Sequence, residues 1–283
     1  MGLNWRDEVG EFKYGVNFNL AYNQNKVTRI ANTEGIIHGP ANVLSHNTTE
    51  LYRAQVGYPI GYFWGYKTDG LFQNDQDVQS YKNAKGELIM PNAQPGDIRF
   101  VDQNGDAVID DKDKVMIGDP NPDFTFGLSM NFAYKGFDLS IVTNGVAGNQ
   151  IARAYRSANL PFHNYTTEIL DRWHGEGTSN KIPRVTANGH INYIYVSDRY
   201  IENGDYWRIS NVTLGYDFKK VFSKLPIQQA RLYITGQNLA TFTKYKGLDP
   251  EVGYGYESTW ASGIDLGFYP SPRVFMVGLS IKY

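Results

Sequence analysis

Cysteine is absent from the 283 residues, which excludes disulfides, thiolate metal sites and a cysteine nucleophile. No charge sign dominates either. Lys and Arg number 27 against 29 Asp and Glu, a formal net charge of -2, so the basic footprint of a nucleic-acid binder is missing and no nucleic-acid partner is expected. No apolar run reaches the roughly 18 residues of a membrane helix, and mean hydropathy is -0.45. GxSxG, GxGxxG, a phosphate-cradling glycine loop and an HExxH pair are all lacking. The five histidines (His38, His46, His163, His174 and His190) are scattered through expected loops. An enzyme is therefore left without a site, and no catalytic residue is expected. A membrane β-barrel survives every one of these absences, because alternation halves the mean hydropathy of its strands and its loops are polar. Met1 to Arg6 do not read as a signal peptide, so a trimmed mature chain or part of a longer product is expected.

What the chain has in place of long hydrophobic runs is alternation. Phe124, Phe126, Leu128, Met130, Phe132 and Tyr134 are interleaved with Thr125, Gly127, Ser129, Asn131 and Ala133. Phe12, Tyr14, Val16, Phe18, Leu20 and Tyr22 alternate with Lys13, Gly15, Asn17, Asn19 and Ala21. Phe275, Val277, Leu279, Ile281 and Tyr283 close the chain in the same way. Successive strand side chains point to opposite faces, so each segment has one greasy face and one slim polar face. A strand crossing a bilayer must present hydrocarbon over about 9–11 residues and carry aromatics at the interfaces. The 21 tyrosines and 29 glycines suit aromatic girdles and a lumen wall of small residues.

The reading is an all-β, antiparallel transmembrane β-barrel segment of about eight strands. They are expected near 10–27, 48–57, 61–72, 124–134, 137–147, 206–218, 230–242 and 272–283. Short connections at 57–60, 135–136 and 219–229 alternate with long ones at 28–47, 73–123, 148–205 and 243–271. This is the outer-membrane pattern of short periplasmic turns and long external loops. The slim inward residues cannot fill a small barrel, and an open edge is not tolerated in lipid. The remaining barrel strands are therefore expected on preceding sequence or on another chain. A short helix is expected at 165–173. The rival class is a secreted, calcium-stabilised β-sandwich that binds glycans.

One loop has ligand spacing. Asp102, Asn104, Asp106, Val108 (through its carbonyl), Asp110 and Asp113 fall at positions 1, 3, 5, 7, 9 and 12 of a calcium loop, with Ile109 as apolar anchor. Ala107 stands where glycine is usual, and Asp113 where a bidentate Glu is usual. A loop built of Asx turns with no ion is the alternative. Calcium is favoured over magnesium as the cofactor. Tyr254, Tyr256, Trp260 and Trp173 are candidates for stacking on ligand, against the competing reading that they pack the loops or form an interfacial girdle.

Several blocks resemble, in order, the SusC/RagA-like family of TonB-linked outer membrane transporters. They are Gly57-Tyr-Pro-Ile-Gly-Tyr-Phe-Trp-Gly-Tyr66, Asp69-Gly-Leu-Phe72, Pro95-Gly-Asp-Ile-Arg-Phe-Val-Asp102 and Ile117-Gly-Asp-Pro-Asn-Pro122. Tyr134-Lys-Gly-Phe-Asp-Leu-Ser140, Glu202-Asn-Gly-Asp-Tyr-Trp-Arg-Ile-Ser210, Thr235-Gly-Gln-Asn-Leu239 and Tyr269-Pro-Ser-Pro-Arg273 continue the series. The resemblance implies that residues 1–283 are the C-terminal part of a 22-stranded, plugged barrel, with the plug, the TonB box and the earlier strands elsewhere. It also implies residence in the outer membrane of a Gram-negative cell, energy from TonB, a SusD-like surface lipoprotein as partner, and import of oligosaccharide, glycan fragments or peptides.

Overall fold

The computed structural model describes residues 1–155, 164–186, 189–222, 224, 226–252 and 260–283. Seven strands form its largest sheet: β1 (Gly2–Val9), β2 (Phe12–Tyr22), β3 (Phe124–Tyr134), β4 (Phe137–Ala147), β5 (Tyr206–Asp217), β6 (Gln229–Thr243) and β7 (Val274–Lys282). They pair in sequence order, each antiparallel to the next, as a meander. Gly10-Glu11 joins β1 to β2, and Lys135-Gly136 joins β3 to β4. Lys135 and Gly136 have φ of 48° and 92°, the paired positive values of a tight hairpin turn whose twist matches its strands. Among the described residues the sheet stays open, with β1 at one edge and β7 at the other.

Two expected wall strands are not in this sheet. Residues 48–57 and 61–72 contribute only the short strands Tyr52–Gln55, Tyr62–Tyr66 and Thr68–Leu71, which belong to small separate sheets. The first two are buried on both faces, as Tyr52, Tyr62 and Phe63 are at 0% exposure, so their apolar content reflects a core and not a membrane. In exchange, β1 joins the wall ahead of β2. The long and short connections still alternate, but the first long one now runs through residues 23–123.

The hydrophobic core lies in these long connections. One cluster gathers Leu44, Leu51, Tyr52, Phe63, Ala152, Val196 and Ile264 from all three, each at 0% exposure. A second gathers Tyr66, Phe72, Val78, Ile98 and Phe100, with Trp173 and Tyr195 packed against it. Fully burying one such side chain contributes about 1.5–3 kcal/mol. The three connections thus make a folded loop layer at one end of the wall. The expected helix at 165–173 is a 3-10 turn over Thr167–Asp171.

Candidate functional site

The strand register assigns every wall side chain to a face. Leu3 and Trp5 oppose Phe18 and Val16, which oppose Leu128 and Met130. Met130 opposes Ile141, Ile141 opposes Val212, and Val212 opposes Gly236, which opposes Phe275. One greasy face therefore crosses all seven strands. In β5, Ser210 is an extra residue in the ladder between Ile209 and Asn211. This bulge shifts the parity, so that Trp207 and Ile209 share the greasy face with Val212, Leu214 and Tyr216. The Ser210 hydroxyl donates to Asn144 Oδ1 on the other face.

The greasy face is uncovered. Phe275 is 76% exposed, Val277 74% and Ile234 53%. A soluble sandwich would lay a second sheet there, and among the described residues none does so. Aromatic pairs close both ends of the face. Tyr22 with Phe124 (5.2 Å) and Trp207 with Phe242 (5.3 Å) stand at the loop-layer end. Phe12 with Phe132 (6.2 Å) and Phe137 with Tyr216 (4.4 Å) stand at the short-turn end. From Phe124 to Tyr134 the chain runs about 33 Å at roughly 3.3 Å per residue, which at a tilt of about 40° gives a band about 25 Å tall. That is the height of an outer-membrane apolar girdle.

The opposite face carries Asn17, Asn19, Asn131, Ser129, Ser140, Thr213, Asn211 and Thr235. Where this face meets the loop layer, Arg208 is 4% exposed. It donates to Thr241 Oγ1 (3.0 Å), to Glu251 (2.6 Å) and to Asp249. The wall is thereby fastened to the third long connection.

No family model matches the chain. It is 31% identical over 282 residues to TonB-dependent receptor P3 of Formosa agariphila, covering 96% of this chain and 27% of that protein. It is 28% identical over 280 residues to TonB-dependent receptor SusC of Bacteroides thetaiotaomicron, covering 96% and 25%. The chain is homologous to SusC-type TonB-dependent receptors. It spans about a quarter of the length of the relatives it matches. Among solved structures it superposes on the RagAB peptide importer in the open-open state with TM-score 0.68, at 19% identity, over 100% of this chain and 28% of the other. The RagAB peptide transporter gives 0.71 at 17% identity, over 100% and 28%. These two likenesses carry the fold.

Residues 102–113 form a loop at the surface, closed by its own side chains. Asp102 accepts from the N–H groups of Gly105 (2.6 Å) and Ala107 (2.8 Å), and Asn104 Oδ1 accepts from that of Asp106 (2.9 Å). Asp106 Oδ1 accepts from Val108 N–H (3.0 Å), the first reason its carboxyl lies below the usual range. Asp110 accepts from Lys112 N–H (2.8 Å), and Asp113, fully buried, accepts from Gln103 and Asp110 (both 2.8 Å). Lys112 Nζ stands 3.7 Å from Asp106 and 3.6 Å from Asp110. Ile109 packs against the second core, as an anchor should. Val108 is 54% exposed. Among the described residues, no three of His, Cys, Asp and Glu are gathered closely enough to hold a metal.

Trp173 and Trp260 serve the loop cores: Trp260 meets the Tyr52 ring edge-on at 5.0 Å, and Trp173 packs on the second cluster. Tyr254, Tyr256 and His163 lie outside the described residues. Sequence reasoning missed Asp97, which is 1% exposed. It accepts from Arg184 (2.7 Å) and Asn192 (3.0 Å) and ties residues 73–123 to residues 164–205. Its only sequence signal is a charge inside the Pro95-Gly-Asp-Ile block.

Proposed function

We propose that this chain is the C-terminal wall segment, with its external loops, of an outer membrane nutrient importer energised through TonB. The observation that carries this reading is the uncovered greasy face, continuous over seven strands and bounded by two aromatic rows. Relatives named TonB-dependent receptors support it. In this reading the greasy face meets lipid, the Asn-, Ser- and Thr-rich face lines the lumen, and missing strands complete the barrel. The loop layer faces outward, where a SusD-like lipoprotein docks. The cargo is an oligosaccharide, a glycan fragment or a peptide, and the role is passage without covalent chemistry. The test is fractionation and uptake with the full-length receptor. It should sediment with outer membrane, and its deletion should abolish growth on the cognate nutrient while leaving monosaccharide growth unchanged. Recovery in the soluble periplasm would end this reading.

We further propose that the 102–113 loop takes one divalent cation, Ca²⁺ in preference to Mg²⁺. Ala107 has φ of 66° at the sixth position, the left-handed conformation that a calcium loop obtains from glycine. As the loop stands, its oxygens are taken up by backbone N–H groups, so the ion must displace Lys112. Calcium titration of the receptor, read by melting and by proteolysis of the loop, tests this beside Asp102→Ala. Identical curves with and without the ion would leave only the Asx-turn loop.

A further inference from the structure

The three long connections meet around a concavity of about 520 Å³, within the roughly 300–1,000 Å³ range of small-molecule sites. Thr68 and Gly70 come from the first connection, Lys181 and Asp198 from the second, and Lys244 and Lys246 from the third. A site assembled from several loops held on a rigid scaffold is a common placement for recognition.

The charge around it is not balanced. Three carboxylates line the space, and each is already engaged. Glu168 and Glu202 both accept from Arg153, at 2.8 and 2.6 Å, and the Arg153 side chain is 12% exposed. That doubly bonded guanidinium is raised above its usual pKa against the cost of its burial. Asp198 accepts from the Thr68 hydroxyl at 2.6 Å and from its N–H at 3.3 Å. Arg199 is also held: it donates to the Asn192 carbonyl at 2.9 Å and lies over Tyr193 and Tyr200.

Lys181, Lys244 and Lys246 remain. All three line the concavity, all are exposed, and none has a carboxylate partner among the described residues. The chain as a whole carries a net charge of -2, so three unpaired ammonium groups around one cleft do not follow from composition. A cleft lined by one sign of charge focuses its field and concentrates the opposite charge.

We infer that this concavity binds a negatively charged oligomer, one bearing carboxylate or sulfate groups, through Lys181, Lys244 and Lys246. The inference rests on the import reading and narrows its cargo. Two sources share this chemistry, acidic sugars and acidic peptides, and the charge alone does not separate them.

The test uses the full-length receptor in detergent. It is titrated with tetragalacturonate and with tetraglutamate, each against a neutral oligomer of equal length, maltotetraose or tetraglutamine. At least one acidic probe should bind at least about tenfold more tightly than its neutral counterpart, and the gap should shrink as salt rises from about 0.05 to 0.5 M. Lys181→Gln, Lys244→Gln and Lys246→Gln together should weaken the acidic probe roughly tenfold, because exposed pairs each contribute modestly. An unchanged melting temperature of the triple variant guards against misfolding. The acidic probe that binds identifies the backbone of the cargo. Equal binding of acidic and neutral probes, or a triple variant that binds the acidic probe like the wild type, overturns the inference. A receptor that sediments with outer membrane and imports a neutral nutrient, yet ignores both acidic probes, overturns it and leaves the import reading standing.

Discussion

Arg231 on β6 reaches Asp138 on β4 across the intervening strand β5, with Nε and Nη2 donating at 2.8 and 2.5 Å. The residue beneath this bridge is Gly215. A Cβ there would fall 2.5 Å from Arg231 Nε and 2.6 Å from Asp138 Oδ1. The glycine is thus required by the passage of an ion pair over it, and not by its own backbone angles.

Gly215→Val should therefore break the bridge. The pair is partly exposed, at 24% and 37%, so its loss should cost about 1 kcal/mol or less, with steric displacement adding to it. Thermal melting of the receptor reads this. In an Arg231→Met background the same glycine change should cost measurably less, since the crowded guanidinium is gone. Equal costs in both backgrounds would show that the bridge and the glycine are independent.

Leu128 lies near the middle of β3 on the greasy face, and Ser129 beside it points to the opposite, polar face. Leu128→Arg should destabilise the assembled barrel by about 2–4 kcal/mol, as expected near a bilayer midplane. Ser129→Arg should cost far less. Refolding titrations into lipid vesicles compare the two, and equal penalties would mean the faces are wrongly assigned.

Deleting Ser210 removes the bulge that keeps Trp207 and Ile209 on the greasy face. The upper half of β5 would then turn its Trp and Ile inward and its Arg208 toward lipid. The expected result is loss of folded receptor from the outer membrane with synthesis unchanged, read by heat-modifiable migration. Alanine at the same position keeps the bulge and should assemble normally.

His38 sits between Glu50 (3.0 Å) and Glu34 (3.1 Å), which hold its pKa above 6.5 against burial and Arg53. A raised folded value favours the protonated ring. The added stability is therefore complete below pH 6.5 and fades as pH rises through the folded value. Amide exchange in the strands Ile36–His38 and Tyr52–Gln55, corrected for intrinsic rates, should be better protected at pH 6 than at pH 8. His38→Gln should remove the difference, and a difference that persists in that variant belongs to another group.

The wall strands with unbroken period-two alternation, β2, β3, β4 and β7, were legible in the sequence because a bilayer imposes one solvent on one face over ten or so residues. Residues 48–57 and 61–72 were misread because a core strand buried on both faces is also rich in aromatics, and a few residues of alternation do not tell oil from protein interior. β1 was hidden by Arg6, Asp7 and Glu8 near its turn. The calcium-like spacing of Asp102 to Asp113 is real in the sequence, while the orientation of those side chains is set by local N–H groups that spacing does not encode. The lysine-lined concavity was not legible at all, since Lys181 and Lys246 are 65 positions apart and meet only through folding.

Because the apolar core lies in the loop layer, the usual guide to where a protein tolerates change is inverted here. Long external connections are the habitual sites for epitope tags, reporter insertions and surface-display grafts. In this chain an insertion near Leu44, Phe63 or Val196 would split a packed interior. The two-residue hairpins at Gly10-Glu11 and Lys135-Gly136 hold no core residue: Gly10, Glu11 and Lys135 are exposed, and one exposed ion pair, Lys135 to Glu11 at 3.6 Å, joins the two turns. A fluorophore or affinity handle belongs on that short-turn rim, even though the long connections offer far more chain.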